Sequence, residues 1–422
     1  MNKRFLVVFI ILSLVLMAVP AAMAQDDPIV ITLWRHTSDG QAELDESLAQ
    51  IAAFNDSQDE WLIVSEQLPQ ESYTESVTAG ALAGTLPCIL DFDGPTVPNF
   101  AWAGHVRTLD EFMTEDLLDE LLPSAVGTYQ DDIYAVGQFD AAVGIYARES
   151  VLEANDIRIA TVEEPWTLEE FNAALETLAG LDEFELAIDM HTAYSGEWWP
   201  YAFSPILQSF GGDLINRDNF LEAEGVLNGE EAVAWGEWFQ NLFQSGLADP
   251  TAADDQAFQQ GRAALAYIGN WAYPSMLDAW GDDLVIMPPP DFGNGPVVGG
   301  ASWQWGISST CEHPEGAWAF IEFILEPENV AAMSNATGLI PATASGAALT
   351  ENYAEGGPLN IFVEISNAYS VMRPQTPAYP VIASVFENAA REIALGANVQ
   401  DMLDDAVDAI EQNIEDNDGY GF

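Results

Sequence analysis

After its first two dozen residues, the chain alternates strictly between strand-like and helix-like segments. Three short runs are rich in β-branched and aromatic side chains, as buried strands are: residues 29–34, 61–66 and 88–92. The segments between them carry apolar side chains at helical spacing: residues 42–55 and 73–83. This βαβαβ order predicts an α/β fold with a mostly parallel sheet. Such sheets bind ligands beyond the carboxyl ends of their strands.

A second unit begins near residue 140. Residues 141–147 read as a strand, and Thr167 with Glu170 forms a capping box at the start of a helix. Further helices are predicted at residues 197–210, 230–245, 314–325, 327–336 and 400–414. A strand is predicted at 263–268, and the run 299–308 is predicted to return as a strand to the first unit. About 400 residues exceed what one hydrophobic core usually serves, so we expect two domains.

The N-terminus has the pattern of a secretory signal. Lys3 and Arg4 precede an apolar run over residues 5–19, and Ala22-Met23-Ala24 offers a cleavage site after Ala24. No cysteine lies nearby, so a lipid anchor is not expected. No later segment has about 18 unbroken apolar residues. The chain is therefore predicted to be exported to the periplasm and to lack the lipobox that would direct lipid anchoring.

The charge of the remaining chain is extreme. Beyond residue 24 it has eight basic residues, all arginine, against 68 acidic ones, a formal charge of −60. Such a surface repels phosphate backbones and anionic lipid, so nucleic acid and membrane partners are not expected. An acidic surface without lysine suits high salt, where self-repulsion is screened, although a specific role of the charge stays open. Any retained arginine becomes a candidate for function.

The sequence lacks the residues that several kinds of catalytic or metal-binding site require. Without lysine beyond Lys3 there is no P-loop and no Schiff-base lysine, and the four histidines are isolated, so no metal and no cofactor are predicted. The two cysteines, Cys88 and Cys311, favour one disulfide in an oxidising compartment. The alternative, a reactive thiol, would need a nearby base.

Aromatic residues stand beside acids and amides in several places. The clearest runs are Asn270-Trp271, Glu197-Trp198-Trp199-Pro200-Tyr201 and Trp303-Gln304-Trp305. Sugars offer apolar C–H faces for flat rings and hydroxyls for carboxylates, so these runs favour a sugar site. The alternative is that most of these tryptophans belong to the core. Trp303 and Trp305, two apart beside Gly299-Gly300, are expected to face a ligand.

Five short patterns occur in an order that one family shares. They are residues 79–87 before a strand, Trp166-Thr-Leu-Glu-Glu-Phe171, residues 261–271 ending in Gly-Asn-Trp271, Gly299-Gly300 with the helix at 317–323, and Arg373-Pro-Gln-Thr-Pro-Ala-Tyr379. In these the chain resembles the extracellular solute-binding proteins of carbohydrate ABC transporters, the maltose-binding-protein-like group.

The resemblance implies a two-lobed periplasmic-binding-protein fold of type II with a ligand cleft between the lobes. The lobes would be residues 25–140 with 302–355, and 141–301 with 356–422, after the signal at 1–24. Hinges would lie near 138–144, 299–306 and 352–365. The expected function is capture of a sugar or oligosaccharide and its delivery to the permease subunits of an ABC transporter, by a monomer that is not an enzyme.

The resemblance also places ligand-facing residues by position. They are Trp34, His36, Asp93, Gly94, Trp199, Trp271, Trp303, Trp305 and Arg373. Aromatic rings would stack on the sugar, while Asp93 and Arg373 would hold its hydroxyls by charge-assisted hydrogen bonds. Cys88 stands where relatives often carry Asp, which fits a link to Cys311 between neighbouring strands of the first lobe.

Two other functions stay open from the sequence. Asp91 and Asp93 lie two apart at a predicted strand end, as the carboxylate pair of an exported glycoside hydrolase could. A receptor of the same fold for a non-sugar solute is the third possibility. An anionic ligand is disfavoured because basic residues are scarce.

Overall fold

A computed structural model describes residues 27–37, 41–354 and 356–421. The predicted signal segment and its cleavage site lie outside the described residues. The strands are β1 Ile29–Thr37, β2 Trp61–Pro69, β3 Ile89–Asp93, β4 Val126–Tyr129, β5 Asp132–Val136, β6 Phe139–Asp140, β7 Val143–Arg148, β8 Leu186–Asp189, β9 Ala263–Gly269, β10 Leu284–Met287, β11 Val298–Gly300, β12 Trp303–Ile307, β13 Ile340–Pro341 and β14 Ser370–Met372.

The helices pack on the faces of two sheets. They are α1 Gln41–Ser57, α2 Tyr73–Ala83, α3 Val97–Trp102, α4 Glu115–Glu120, α5 Glu149–Ala154, α6 Leu168–Ala179, α7 Trp198–Phe210, α8 Glu230–Gln244, α9 Tyr273–Trp280, α10 Pro314–Ile324, α11 Pro327–Thr337, α12 Ala344–Ala347, α13 Asn360–Tyr369, α14 Tyr379–Ala394 and α15 Val399–Asp416. In the part of the chain that the structure describes, no helix is long and apolar enough to cross a membrane.

The first sheet has six strands in the order β2-β1-β3-β12-β5-β4. β1 runs parallel to β2 and β3, as the βαβαβ pattern predicts, while β12 is antiparallel to β3. Because β12 runs the other way, its first residue, Trp303, lies at the carboxyl end of β3, opposite Asp93. We call this sheet and the helices packed on it the first lobe.

The second sheet has four strands in the order β10-β7-β9-β8. β9 is buried along its whole length, which agrees with its unbroken apolar sequence. The helices α7, α8, α14 and α15 pack with this sheet into one hydrophobic core, which is separate from the cores of the first lobe. This sheet and its helices form the second lobe, so the molecule has the two-lobed α/β fold.

Two small ribbons lie where the chain passes between the lobes. β6 pairs with β13, and β11 pairs in parallel with β14. A small apolar cluster of Phe139, Ala141, Met333 and Leu339 is buried at the same place. Asn270, fully buried, ties the crossings together through hydrogen bonds to Ala142 N, Gly338 O and the hydroxyl of Tyr353. The exact lobe boundaries stay a prediction.

The predicted elements agree with the structure to within a few residues, with one difference. Thr167 and Glu170 form the capping box at the start of α6, as predicted. The run at residues 299–308, however, is not one strand. Ala301 has a φ of +67° and separates β11 from β12. A left-handed alanine turns the chain, so that Gly299-Gly300 and Trp303 belong to different sheets.

Candidate functional site

Trp303 lies at the edge of the first sheet where β3 ends, and neighbouring rings hold its indole in place. Its half-buried ring stacks on His36, with ring centroids 3.5 Å apart and planes 13° from parallel. Tyr73 meets its ring edge-on at 5.6 Å. The tryptophan is therefore held from two sides, with part of its surface left accessible.

His36 supports this tryptophan from beneath and is itself only 2% exposed. Its Nδ1 lies 2.8 Å from Oδ2 of Asp91, its backbone N–H donates to Oδ1 of the same carboxylate, and its Nε2 lies 3.4 Å from Glu43. Asp91 is equally buried, with both oxygens occupied by His36. These contacts make Asp91 and His36 a support for Trp303, and leave neither side chain directed at a ligand.

Trp34 lies on β1, two residues before His36, and is half-buried. Its Nε1 donates to Glu66 at 3.0 Å, and its ring packs over Gly80, where a Cβ would come within 2.9 Å of the indole. The Tyr73 hydroxyl donates to the Trp34 carbonyl at 3.0 Å. Trp34 and Trp303 thus share Tyr73 as a neighbour, although Trp34 lies level with Leu90, further from the carboxyl end of β3 than Trp303 does.

Trp271 comes from the second lobe, directly after β9. Its half-buried ring has Trp198 and Tyr201 at centroid distances of 6.0 Å each. It packs so closely over Gly269 that a Cβ there would overlap the indole, at 1.9 Å. Both Trp271 and Trp303 pack against the small apolar cluster of Phe139, Ala141, Met333 and Leu339. The structure therefore brings one partly accessible tryptophan from each lobe to the same crossing region.

Arg373 is the main charged group of the site and is 3% exposed. Its Nη1 and Nη2 each donate to one oxygen of Asp93, both at 2.8 Å, so the pair is bidentate. Nη1 also donates to Glu197, and Nη2 to the Ala301 carbonyl. The guanidinium lies 4.9 Å from the ring centroid of Tyr201. Arg373 thus binds Asp93 at the end of β3 in the first lobe and Glu197 directly before α7 of the second lobe, so its hydrogen bonds reach elements of both lobes.

Glu197 is a residue of this cluster that the sequence reasoning missed. It accepts hydrogen bonds from Arg373 and from the Tyr379 hydroxyl. Burial, together with the nearby charge of Asp93, raises the pKa of Glu197 to about 7 against the opposing effect of Arg373. Helical spacing could have found it: Glu197 and Tyr201 are four residues apart and share one face at the start of α7.

The same spacing explains why Trp199 lies elsewhere. It is fully buried in the core of the second lobe, where its Nε1 donates to the Tyr194 carbonyl and Arg391 lies over its ring at 4.3 Å. Two residues along a helix turn the side chain about 200° away, so Trp199 is directed away from Glu197 and Tyr201.

Trp305 and Gly94 also have surroundings that differ from those of Trp303. Trp305 is 7% exposed and meets Phe320 of α10 edge-on in the core of the first lobe. It lies one pleat deeper than Trp303 along β12, away from the sheet edge. Gly94 is buried: its N–H donates to Ser302 O, and a Cβ there would lie 2.8 Å from that of Ala301. Gly94 thus allows close approach of two backbone segments.

The predicted disulfide is present. Cys88 and Cys311 are bonded, and they join the start of β3 to the turn that follows β12. Since β3 and β12 are adjacent antiparallel strands, the bond lies at the end of the sheet opposite Asp93 and Trp303.

Comparison with known proteins agrees with this architecture. The bacterial extracellular solute-binding protein family matches residues 49–357, well over half of the chain. The chain belongs to this family.

This solute-binding protein also resembles a protein whose name states its ligand. It is 26% identical over 326 residues to a maltotriose-binding protein of Pyrococcus abyssi, and the match covers 74% of this chain and 66% of that protein. The chain thus spans slightly less than two thirds of that relative's length.

Two solved structures share the fold of this solute-binding protein. The cyclic α-maltosyl-1,6-maltose binding protein of Arthrobacter globiformis has a TM-score of 0.74 at 24% identity, with 92% of this chain and 100% of that one covered. An ABC substrate-binding protein of Listeria monocytogenes, in complex with cycloalternan, has a TM-score of 0.79 at 16% identity and the same coverage. At these identities the likeness shows the fold alone.

Proposed function

We propose that this protein captures a sugar or oligosaccharide between its two lobes and delivers it to the permease of an ABC importer. One observation carries the proposal: Trp303 and Trp271 come from different lobes, are both partly accessible, and pack against the same apolar cluster at the crossing region. Rings that approach from two sides suit the two apolar faces of a pyranose.

The charges of the site support a neutral ligand. Asp93, Glu197 and Asp140 are grouped around the guanidinium of Arg373, and the Ser124 hydroxyl donates to Asp140 at 2.5 Å. An anion would meet an excess of carboxylates. A neutral sugar would avoid that repulsion. The similarity to a maltotriose-binding protein of Pyrococcus abyssi supports the same ligand class.

We further propose that the protein is not a hydrolase. The Asp91 and Asp93 pair suggested by the sequence has two separate sets of partners, since Asp91 is occupied by His36 and Asp93 by Arg373. A glycosidase needs one carboxyl group free to protonate the leaving oxygen and a second free to attack or to activate water. Export to the periplasm, removal of a signal at residues 1–24 and action as a monomer complete the proposal.

Calorimetric titration with mono-, di- and trisaccharides, run beside hydrolysis assays on matching glycosides, tests this function. We expect saturable binding of at least one sugar and no turnover. Turnover that is lost in Asp93→Asn would overturn the receptor function in favour of the hydrolase. Binding of a polyamine or amino acid, with no sugar bound, would show a non-sugar receptor of the same fold.

A further inference from the structure

The guanidinium of Arg373 has no hydrogen-bond donor left for a ligand. Arginine has five N–H donors. Nη1 serves Asp93 and Glu197, Nη2 serves Asp93 and the Ala301 carbonyl, and Nε lies 3.5 Å from the Gly300 carbonyl. All five are therefore directed at the protein. A sugar hydroxyl could reach Arg373 only by displacing one of these partners.

These partners come from both sides of the space between the lobes. Asp93 ends β3 of the first lobe, Ala301 lies in the crossing segment between β11 and β12, and Glu197 begins α7 of the second lobe. Glu197 is fixed in turn by the hydroxyl of Tyr379, at the start of α14. A contact from α3 runs alongside: the Asn99 side chain donates to the Pro377 carbonyl at 2.7 Å.

We propose that Arg373 is a clamp that holds the two lobes together, and that Glu197 is the positioning residue that aims it at Asp93. The clamp goes beyond the proposed function. It rests on that function in one respect, because it requires that the lobes move relative to each other. It revises the expected role of Arg373 from ligand contact to closure element.

The clamp makes closure dependent on the charge of Glu197. When Asp93 and Glu197 are both ionised, the two carboxylates that bind Arg373 bring two negative charges against its one positive charge. With Glu197 protonated, Arg373 and Asp93 form a neutral pair. The titratable and charged groups that face Glu197 or its partners are Arg373, Asp93, Tyr379, Tyr201, Asp140 and Glu387.

The direction of the dependence follows from what opening removes. Opening takes Asp93 away and admits water, and both changes lower the pKa of Glu197 from the value of about 7 in the closed cluster. The closed state therefore binds the proton more tightly, and closure is favoured as pH falls. At a pH above the closed-state pKa, each unit by which the pKa of Glu197 is higher in the closed state than in the open state reduces the closed-to-open ratio by about tenfold.

Small-angle X-ray scattering of the ligand-free protein between pH 5.5 and 8 tests the clamp without any sugar. We expect the radius of gyration of the wild type to increase as pH rises through 7. Glu197→Gln should stay compact over the whole range, because the amide mimics the protonated acid. Asp93→Asn should be expanded and insensitive to pH in this range.

Glu111→Gln is the matched control, because Glu111 pairs with Arg107 on the surface of one lobe. It should follow the wild-type curve. A wild-type radius that does not change with pH would overturn the clamp, as would a Glu197→Gln curve identical to that of the wild type. The pH dependence of the wild-type radius of gyration needs no variant, so it tests the clamp even if a variant fails to fold. Sugar titrations are independent of this result, so failure of the clamp and failure of the proposed function are distinguishable.

Discussion

Trp303 stacks face to face on His36, with 3.5 Å between the ring centroids. Trp303 retains accessible surface, whereas His36 does not, so the two residues have different roles. His36 fixes the plane of the ring, and Trp303 offers its free surface to the space between the lobes. The site is therefore built in two layers, with a buried support of His36 and Asp91 under one accessible aromatic surface.

Loss of either accessible tryptophan should weaken sugar binding. We expect Trp303→Ala and Trp271→Ala each to raise the Kd for the tightest-binding sugar at least tenfold, which corresponds to about 1.4 kcal/mol. Trp61→Ala is the matched control, because Trp61 is a half-buried tryptophan at the start of β2, at the opposite edge of the same sheet. Calorimetric titration measures the effect, and an unchanged Kd in both variants would remove these rings from the site.

His36→Ala should destabilise the fold and loosen Trp303. The buried Asp91 carboxylate would lose its side-chain partner, which costs about 1–3 kcal/mol in the free energy of unfolding. Chemical denaturation measures the loss, and a double-mutant cycle with Asp91→Ala should give a favourable coupling energy. His313→Ala is the control, because His313 is exposed beside Glu315 and should change stability by less than about 0.5 kcal/mol. Equal effects of the two substitutions would contradict a supporting role for His36.

Reduction of the disulfide should lower stability while leaving the carboxyl edge of the sheet in place. Cys88 and Cys311 are 223 residues apart in sequence, and a loop of that length implies an entropic contribution of about 5 kcal/mol. We expect the Cys88→Ser, Cys311→Ser double variant to unfold at lower denaturant concentration but to bind sugar with an affinity near that of the wild type. Mass spectrometry that found two free thiols in the exported protein would contradict the bond itself.

Salt should stabilise the folded chain. Its formal charge is −58, and compaction brings these charges closer together than they are in the unfolded chain. The Debye length falls from about 10 Å at 0.1 M salt to about 3 Å at 1 M, so most of this repulsion is screened in that interval. Thermal unfolding in sodium chloride should show a Tm that increases between 0.1 and 1 M. A flat Tm in this range would show that the acidic surface does not limit stability.

The sequence predicted local structure well because local signals are strong in this chain. The capping box at Thr167 and the helix stop at Gly84, which has a φ of +67°, both follow from short-range chemistry. The βαβαβ pattern predicted that β1, β2 and β3 run parallel, but not the order of the six strands or the antiparallel direction of β12. What failed was the run at residues 299–308, where a single left-handed alanine divides two strands.

The site was predicted only in part because its contacts connect distant segments. Asp93, Glu197 and Arg373 are separated by more than a hundred residues each, and no periodicity indicates that one arginine would serve both carboxylates. The surroundings of two predicted residues follow from local spacing alone. Trp199 lies two residues beyond Glu197 on a helix, and Trp305 lies two residues further along β12 than Trp303. Trp199 is buried on the other side of α7, whereas Trp305 is buried because it lies further from the edge of the sheet.

Hydrogen–deuterium exchange with and without the tightest-binding sugar tests the central claim most directly. If the sugar lies between the lobes, protection should appear in peptides that contain Asp93, Trp271 and Trp303, together with the crossing segments around Phe139 and Leu339. Peptides around Cys311, at the end of the first sheet opposite Asp93 and Trp303, should exchange at the same rate in both samples. Sugar binding that protects a surface of one lobe alone, with no change around Trp271 and Trp303, would contradict the account.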